Sequence, residues 1–318
     1  MKILVIGGTR FLGKKLTQLL VENKKNKIVI ISRKAGIFNN QCMCLETERS
    51  EGIKKLKGSH FDLIIDFIAY NEDAIKQIKD SLTFKRYFLI STCWMPKLNI
   101  NYQMNEFIME IDPENLTNLP QVTVDYLLGK RTAENYLKAN FKSSHFTIVR
   151  LPLLLGVDDH TGRLEFYVSR LIDPFPVILV DGGDNLCQLG FVDEIAHSLS
   201  KIIQSQDLHN LTIIEALPST ATKVKDVLKI IKHSLGSTSD LLPYSREEID
   251  LSCPEYLLEE PLWREREFAV TSSNIYNLLD IVSKDIEVWL ENVCNQMEHS
   301  KSISKLRKIE LDKMNFQD

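Results

Sequence analysis

The residues MKILVIGGTRFLG constrain this chain more than any others. Lys2 to Ile6 is an apolar run of strand length. It stops at Gly7 and Gly8, and helix formers from Lys14 to Glu22 follow Gly13. A strand that breaks at glycine and restarts as a helix presents backbone amides at a helix N-terminus. The helix dipole there favours negative charge, and glycine allows the tight turn and the close approach of a pyrophosphate. A second strand, Lys27 to Ile31, completes a βαβ unit of about 30 residues. Arg10 stands where the usual Gly-x-Gly-x-x-Gly spacing has its middle glycine. An ordinary strand-to-helix turn shares these features, so the loop alone decides no function.

Apolar runs and helical patterns alternate for almost two hundred residues. Strands are expected at Lys2–Ile6, Lys27–Ile31, Gln41–Leu45, Leu63–Ile68, Tyr87–Ser91, Phe146–Leu151 and Val177–Val180. Helices are expected at Lys14–Asn23, Glu72–Ser81 and Val124–Asn140. Alternation of this kind predicts an α/β fold, a doubly wound parallel sheet covered on both faces. The runs LIIDFI and YFLI are apolar at successive positions, as strands buried on both faces are. Beyond about residue 155 the pattern loosens into helices at Phe166–Ile172, Asp193–Gln204 and Lys223–Leu235, a short strand at Leu211–Glu215, and stretches such as DPFPV and DGGDN. The expected organisation is a nucleotide-binding domain over 1–155, with parts of 175–205 returning to it. A smaller C-terminal lobe follows over 156–295, then a polar tail over 296–318 read as a surface helix with a frayed end.

The length of 318 residues suits one large domain with a smaller lobe. A formal net charge of -4 gives no general reason to expect nucleic-acid binding. No apolar run approaches the ~20 residues of a membrane span, and the first residues read as a strand rather than a signal peptide. The six cysteines form no Cys-x-x-Cys pair, so reduced thiols in a cytoplasmic protein are expected and no metal site. Asp158-Asp159-His160 has no neighbours that complete a ligand set.

Tyr126 and Lys130 lie four apart in a helical pattern and so share one face. A lysine ammonium one turn from a tyrosine stabilises the phenolate, which brings a poor base toward its working range. The strand Tyr87-Phe88-Leu89-Ile90 runs into Ser91 and Thr92, and ligands in open α/β sheets bind beyond the carboxyl ends of strands. A hydroxyl there is placed to orient a substrate oxygen.

With GGTRFLG at 7–13, IST at 90–92, YLLGK at 126–130, IVRLPLLLG at 148–156 and GFVDEIAHSL at 190–199, the chain resembles an extended short-chain dehydrogenase/reductase. The group is that of the NAD-dependent epimerases and dehydratases. These segments cover roughly the first 200 residues in the family's order. The GGTRFLG form is similar to a divergent branch that includes bacterial nucleotide-sugar epimerase-like reductases and plastid stem-loop RNA-binding proteins. The resemblance implies a Rossmann-type sheet with a smaller C-terminal substrate-binding lobe. It implies Gly7, Gly8, Thr9, Arg10, Phe11, Leu12 and Gly13 as the pyrophosphate loop and Glu48 as an acid near the adenine. Thr92 takes the place of the catalytic hydroxyl, Tyr126 of the general acid/base, and Lys130 of its partner and a ribose contact. Two stretches differ from the family pattern. CWMPKL follows the hydroxyls, and the loop from Lys97 to Asp125 is longer and carries Met104, Glu106, Phe107 and Glu110.

The second strand ends Ile31-Ser32-Arg33-Lys34, without the acid that binds a ribose 2′-hydroxyl. A small hydroxyl followed by two cations suits a 2′-phosphate, so Ser32, Arg33 and Lys34 favour NADP over NAD. Arg163 is the candidate contact for a substrate phosphate, with Arg264 and Arg266 secondary. The expected function is Tyr-assisted hydride transfer on a nucleotide-sugar, as an epimerase or reductase. The alternatives are an RNA-binding protein on the same scaffold and a catalytically inactive NADP-sensing regulator. A homodimer is expected, through the apolar face of Ala133, Leu137 and Phe141.

Overall fold

The computed structural model describes residues 1–34, 42–93, 120–205, 211–218, 220–262, 274–297 and 304–316. The chain forms two compact units. The first comprises Met1–Pro152, Ala196–Ala216 and Thr271–Leu279. Its strands are β1 (Lys2–Ile6), β2 (Lys27–Ser32), β3 (Cys42–Glu46), β4 (His60–Asp66), β5 (Thr83–Thr92) and β6 (Phe146–Leu151). With a seventh strand, Ile213–Glu215, they make one sheet in the order β3-β2-β1-β4-β5-β6 and then Ile213–Glu215 at the edge. Every pairing in it is parallel. The helices that follow the early strands are α1 (Phe11–Glu22), α2 (Arg49–Lys55), α3 (Glu72–Ser81) and α4 (Gln121–Asn140). This is the doubly wound Rossmann order, and it reverses direction between β1 and β4.

Leu4, Ile6, Ile64, Tyr87, Leu89 and Ile148 of the strands pack with Ile75, Ile78, Ala133 and Leu137 of α3 and α4. Each fully buried aliphatic side chain contributes roughly 1.5–3 kcal/mol, so this layer fixes α3 and α4 on the sheet. Ala133 and Leu137 have no exposed surface, and the Phe141 ring lies 5.8 Å from Phe84. The face expected to form a dimer is therefore part of the protein's own core. The large apolar residues that α4 leaves exposed are Val122 and Leu128, with the Tyr126 ring beside them.

Several boundaries differ from the sequence reading, most of them by one to three residues, and those of β4 and β5 have a clear local cause. β4 runs over His60–Asp66 instead of Leu63–Ile68. The Asp66 carboxylate accepts from the amide of Ile68 at 3.0 Å, a local turn that ends the strand where hydropathy alone would continue it. β5 begins at Thr83, because Lys85 and Arg86 are paired into the ladder despite their charge. α3 has the expected bounds, with the Asn71 side chain accepting from Ala74 N at 3.0 Å.

The second unit comprises Leu153–Ile195, Leu217–Val270 and Asp280–Asp318. It holds short paired strands, Leu153–Leu155 with Leu189–Phe191 and Val177–Val180 with Leu241–Tyr244. The helices Arg163–Leu171, Val224–Ser234 and Ile286–Gln296 share a core of Leu164, Val168, Val227, Leu228, Ile231 and Leu290.

The C-terminal helix Lys305–Lys313 is not the surface helix that its polarity suggests. Arg307 and Glu310 are almost wholly buried. Arg307 pairs with Asp173 at 2.9 Å and with Glu310, and Glu310 also accepts from Arg170 Nε at 2.9 Å. Arg307 additionally donates to the carbonyl oxygens of Phe175 and Pro176. One face of a charged helix is buried here because Arg307 and Glu310 each have opposite partners, which a hydropathy average does not register. Removing one partner of a buried network typically costs about 3–5 kcal/mol. Arg307→Met should therefore lower the urea midpoint of the full chain by that order of destabilisation. A shift within about 0.5 kcal/mol, the usual effect of a surface change, would restore the surface-helix reading.

Candidate functional site

The loop after β1 shows why its residues are glycines. Gly7 has φ +84°, and a methyl on it would lie 3.0 Å from Ile68 Cγ2. A methyl on Gly13 would lie 2.7 Å from the Gly7 carbonyl oxygen. The start of α1 thus closes directly onto the end of β1. Phe11 holds φ +42°, an unusual conformation for a bulky residue. Its side chain and that of Leu12 are buried, so both would meet a ligand only through their backbone. Arg10 is the extended N-cap residue, no side chain caps α1, and no acid stands in its first turn. A first turn without a carboxylate of its own suits an anion.

Thr9 Oγ1 and Ser32 Oγ lie 2.6 Å apart, which joins the glycine loop to the end of β2. Arg33 and Lys34 are exposed and form no ion pair among the described residues. Arg33 is close enough to Tyr70 to pull its phenol pKa down, against the larger upward push of burial and of Asp66. Glu48 is the exposed N-cap residue of α2, and its side chain makes no cap bond. Glu46 stands opposite Ser32 in the β2–β3 register.

Lys130 is 2% exposed. Its Nζ donates to the carbonyl oxygen of Ile90 at 2.7 Å and of Ala69 at 3.1 Å. These oxygens lie near the carboxyl ends of β5 and β4. The ammonium stands 4.8 Å over the Tyr70 ring and 6.0 Å from the centre of the Tyr126 ring. The Tyr70 and Tyr126 rings are 6.0 Å apart. Burial pushes the Lys130 ammonium down to about 8, and the charges of Asp66 and Glu134 limit the fall. The ammonium is thus enclosed by the sheet ends and two tyrosines, while Tyr126 keeps an exposed ring. Gly129 permits this closeness, since a methyl there would drive into the Tyr70 carbonyl oxygen.

The two strand-end hydroxyls have different surroundings. Ser91 donates to Glu134 Oε1 at 2.6 Å, and Arg150 Nη2 reaches Glu134 Oε2 at 2.7 Å. Burial alone would raise the Glu134 carboxyl, but Arg150 and Ser91 hold it below its usual range. Ser91 therefore ties β5 to α4 and β6. Thr92 follows it as the last residue of β5, paired with Leu151 in register.

Sequence reasoning missed a second buried network. Asp66, wholly buried at the end of β4, accepts from Arg49 Nη2 at 2.7 Å and from the Tyr87 hydroxyl at 2.9 Å. An acid closing the apolar run LIID was the available signal. Arg163 belongs to the second unit, where it opens the helix Arg163–Leu171 and its guanidinium lies 3.8 Å from Asp159. Arg264, Arg266 and the loop residues 97–119 lie outside the described residues.

No family model matches the sequence, and no curated protein matches it. Solved structures do match. UDP-glucuronic acid 4-epimerase from Bacillus cereus, in complex with UDP-glucuronic acid and NAD, is 15% identical with a TM-score of 0.65. That match covers 93% of this chain and 98% of the other. dTDP-glucose 4,6-dehydratase from Bacillus anthracis, in complex with NAD, is 14% identical with a TM-score of 0.66, over 93% and 96%. ADP-L-glycero-D-manno-heptose-6-epimerase from Helicobacter pylori is 14% identical with a TM-score of 0.64, over 93% and 96%. The chain has the fold of the extended short-chain dehydrogenase/reductases. Here the end of β1 and the middle of α4 both reach the β4–α3 connection, through Gly7 beside Ile68 and Lys130 on Ala69. Among the described residues no helix is long and apolar enough to cross a membrane.

The buried ammonium gives a pH signature. With a folded pKa near 8 against the usual 10.5, the unfolded chain binds the proton more tightly between those values. The Lys130 contribution to stability therefore rises with pH across that window, by up to roughly 3 kcal/mol. Urea unfolding of the wild type and of Lys130→Met should show the wild type gaining relative stability from pH 8 to 10.5. Parallel curves would show an ammonium that folding leaves unperturbed.

Proposed function

We propose that the chain is an NAD(P)-dependent enzyme that interconverts hydroxyl and carbonyl on a nucleotide-sugar, as an epimerase or a reductase. The supporting observation is the meeting of a glycine cradle, set against Ile68, with a tyrosine–lysine pair anchored one residue further on at Ala69. The residues fit a nicotinamide dinucleotide. Gly7 and Gly13 let α1 close directly onto the end of β1, the tight strand-to-helix turn that a pyrophosphate approaches, and no acid stands in the first turn of α1. Such a cofactor, when bound, supplies hydride acceptance and donation.

The protein's own groups manage the proton and the charge. Tyr126, with its exposed ring, takes the proton from a sugar hydroxyl and returns it. Thr92 hydrogen-bonds the same oxygen. Lys130 acts on Tyr126 through its positive charge in a low-dielectric site, where burial strengthens the interaction. Its bonds to two carbonyl oxygens make it a positioning residue as much as an electrostatic one. Asp66, Arg49 and Tyr87 hold the end of β4 beneath Tyr70.

Positioned acid/base groups contribute about 10²–10⁴ in rate. Tyr126→Phe should lower kcat by that factor on a nucleotide-sugar substrate and leave the fold and cofactor affinity in place. Unchanged turnover would remove the tyrosine from the mechanism.

Ser32, Arg33 and Lys34 support NADP as the preferred form. A charged hydrogen bond is worth about 1.5–3 kcal/mol, so Arg33→Ala should weaken NADPH binding about tenfold or more and leave NADH nearly unchanged. Equal losses for both cofactors would refute the preference.

A further inference from the structure

The first unit carries a cavity of about 510 Å³ lined by Met1, Asp62, Leu63, Lys85, Arg86, Phe88, Ser144 and Ile203. Asp62, Leu63, Lys85 and Arg86 belong to the amino-terminal halves of β4 and β5. The glycine loop and Lys130 work at the opposite ends of the strands. Six residues separate Arg86 from Thr92, about 20 Å along an extended strand. The cavity is therefore separate from the nucleotide site.

Its distinctive group is Arg86, which is 9% exposed and forms no ion pair among the described residues. Nε donates to Thr147 Oγ1 at 3.1 Å, and Nη2 donates to the same oxygen at 2.6 Å and to the Leu211 carbonyl oxygen at 3.2 Å. Nη1 has no partner among the described residues. The guanidinium lies 5.0 Å from the centre of the Phe88 ring. The nearby carboxylate, Asp62, is taken by Lys85 at 2.6 Å and by the amide of Lys2 at 2.8 Å. Burial, with no opposing charge, lowers the Arg86 pKa to about 10. A buried cation held by neutral oxygens is costly, and an anion in the cavity would relieve that cost.

We infer that this cavity is a second ligand site, for a small organic carboxylate with an apolar body. One nitrogen of Arg86 remains for the ligand, which suits a single carboxylate oxygen better than a phosphate that needs several donors. Leu63, Phe88 and Ile203 supply apolar wall for the rest of the molecule, and the volume is that of a small-molecule pocket.

The test uses the full chain with benzoate as the probe and benzamide as its uncharged isostere, followed by isothermal titration. Benzoate should bind saturably at millimolar concentration or below, and benzamide at least tenfold more weakly. Arg86→Met should weaken benzoate at least tenfold. Ser144 is exposed at the cavity, so Ser144→Trp should block the cavity without disturbing the core, and it decides the matter if Arg86→Met fails to fold. Saturating NADPH should leave benzoate binding unchanged. Absence of saturable binding overturns the inference. So does binding that persists in Ser144→Trp, or that NADPH displaces, since either places the anion elsewhere.

Discussion

An ammonium buried at the end of a sheet must be matched by oxygen, and Lys130 is matched by the carbonyls of Ala69 and Ile90. Its helix is thereby fixed to two neighbouring strands at once. The other arrangements of the site follow from that attachment. Tyr126 is set beside Tyr70 because the lysine four residues on cannot leave its carbonyls without stranding a charge in a dry environment. The side chains of Phe67 and Ile68, on the same connection, close against Gly7. One connection thus bears on both the glycine loop and the tyrosine–lysine pair.

Two buried ion networks flank this attachment. Asp66, Arg49 and Tyr87 join α2 to the ends of β4 and the middle of β5. Glu134, Arg150 and Ser91 join α4 to β5 and β6. Parallel strands leave their carboxyl ends without hairpin turns to brace them. Here side-chain charges supply the bracing, and their partners come from elements distant in sequence. The second unit uses the same device away from its apolar core, with Arg170, Arg307, Asp173 and Glu310.

Features that depend on near neighbours were legible in the sequence. β1, β6 and Val177–Val180 have the expected bounds, each marked at one end by a glycine or proline in Gly7, Pro152 and Pro176. α3 does as well, because Asn71 caps it locally. Features set by partners far along the chain were not legible. The partners of Lys130 lie 61 and 40 residues away, so its burial could not be read from Tyr-x-x-x-Lys spacing. The spacing likewise gave no means to separate Ser91 from Thr92, since only the fold brings Glu134 to one of them. Ala133 and Leu137 showed a helical apolar face, but periodicity does not say whether that face meets a sheet or a second molecule. The C-terminal helix shows the converse, a polar stretch whose buried charges, Arg307 and Glu310, find partners far along the chain.

Gly129 separates α4 from the Tyr70 carbonyl by the width of a missing methyl group. Tyr126 and Lys130 lie on either side of it on one rigid helix, so they share a single seating. A larger side chain at 129 would lift both together, stretch the lysine from Ala69 and Ile90, and open a gap into which water could pass. The seating of the pair is thus governed by a residue with no functional group of its own. Its contribution is contact distance, and through distance the dryness of the site.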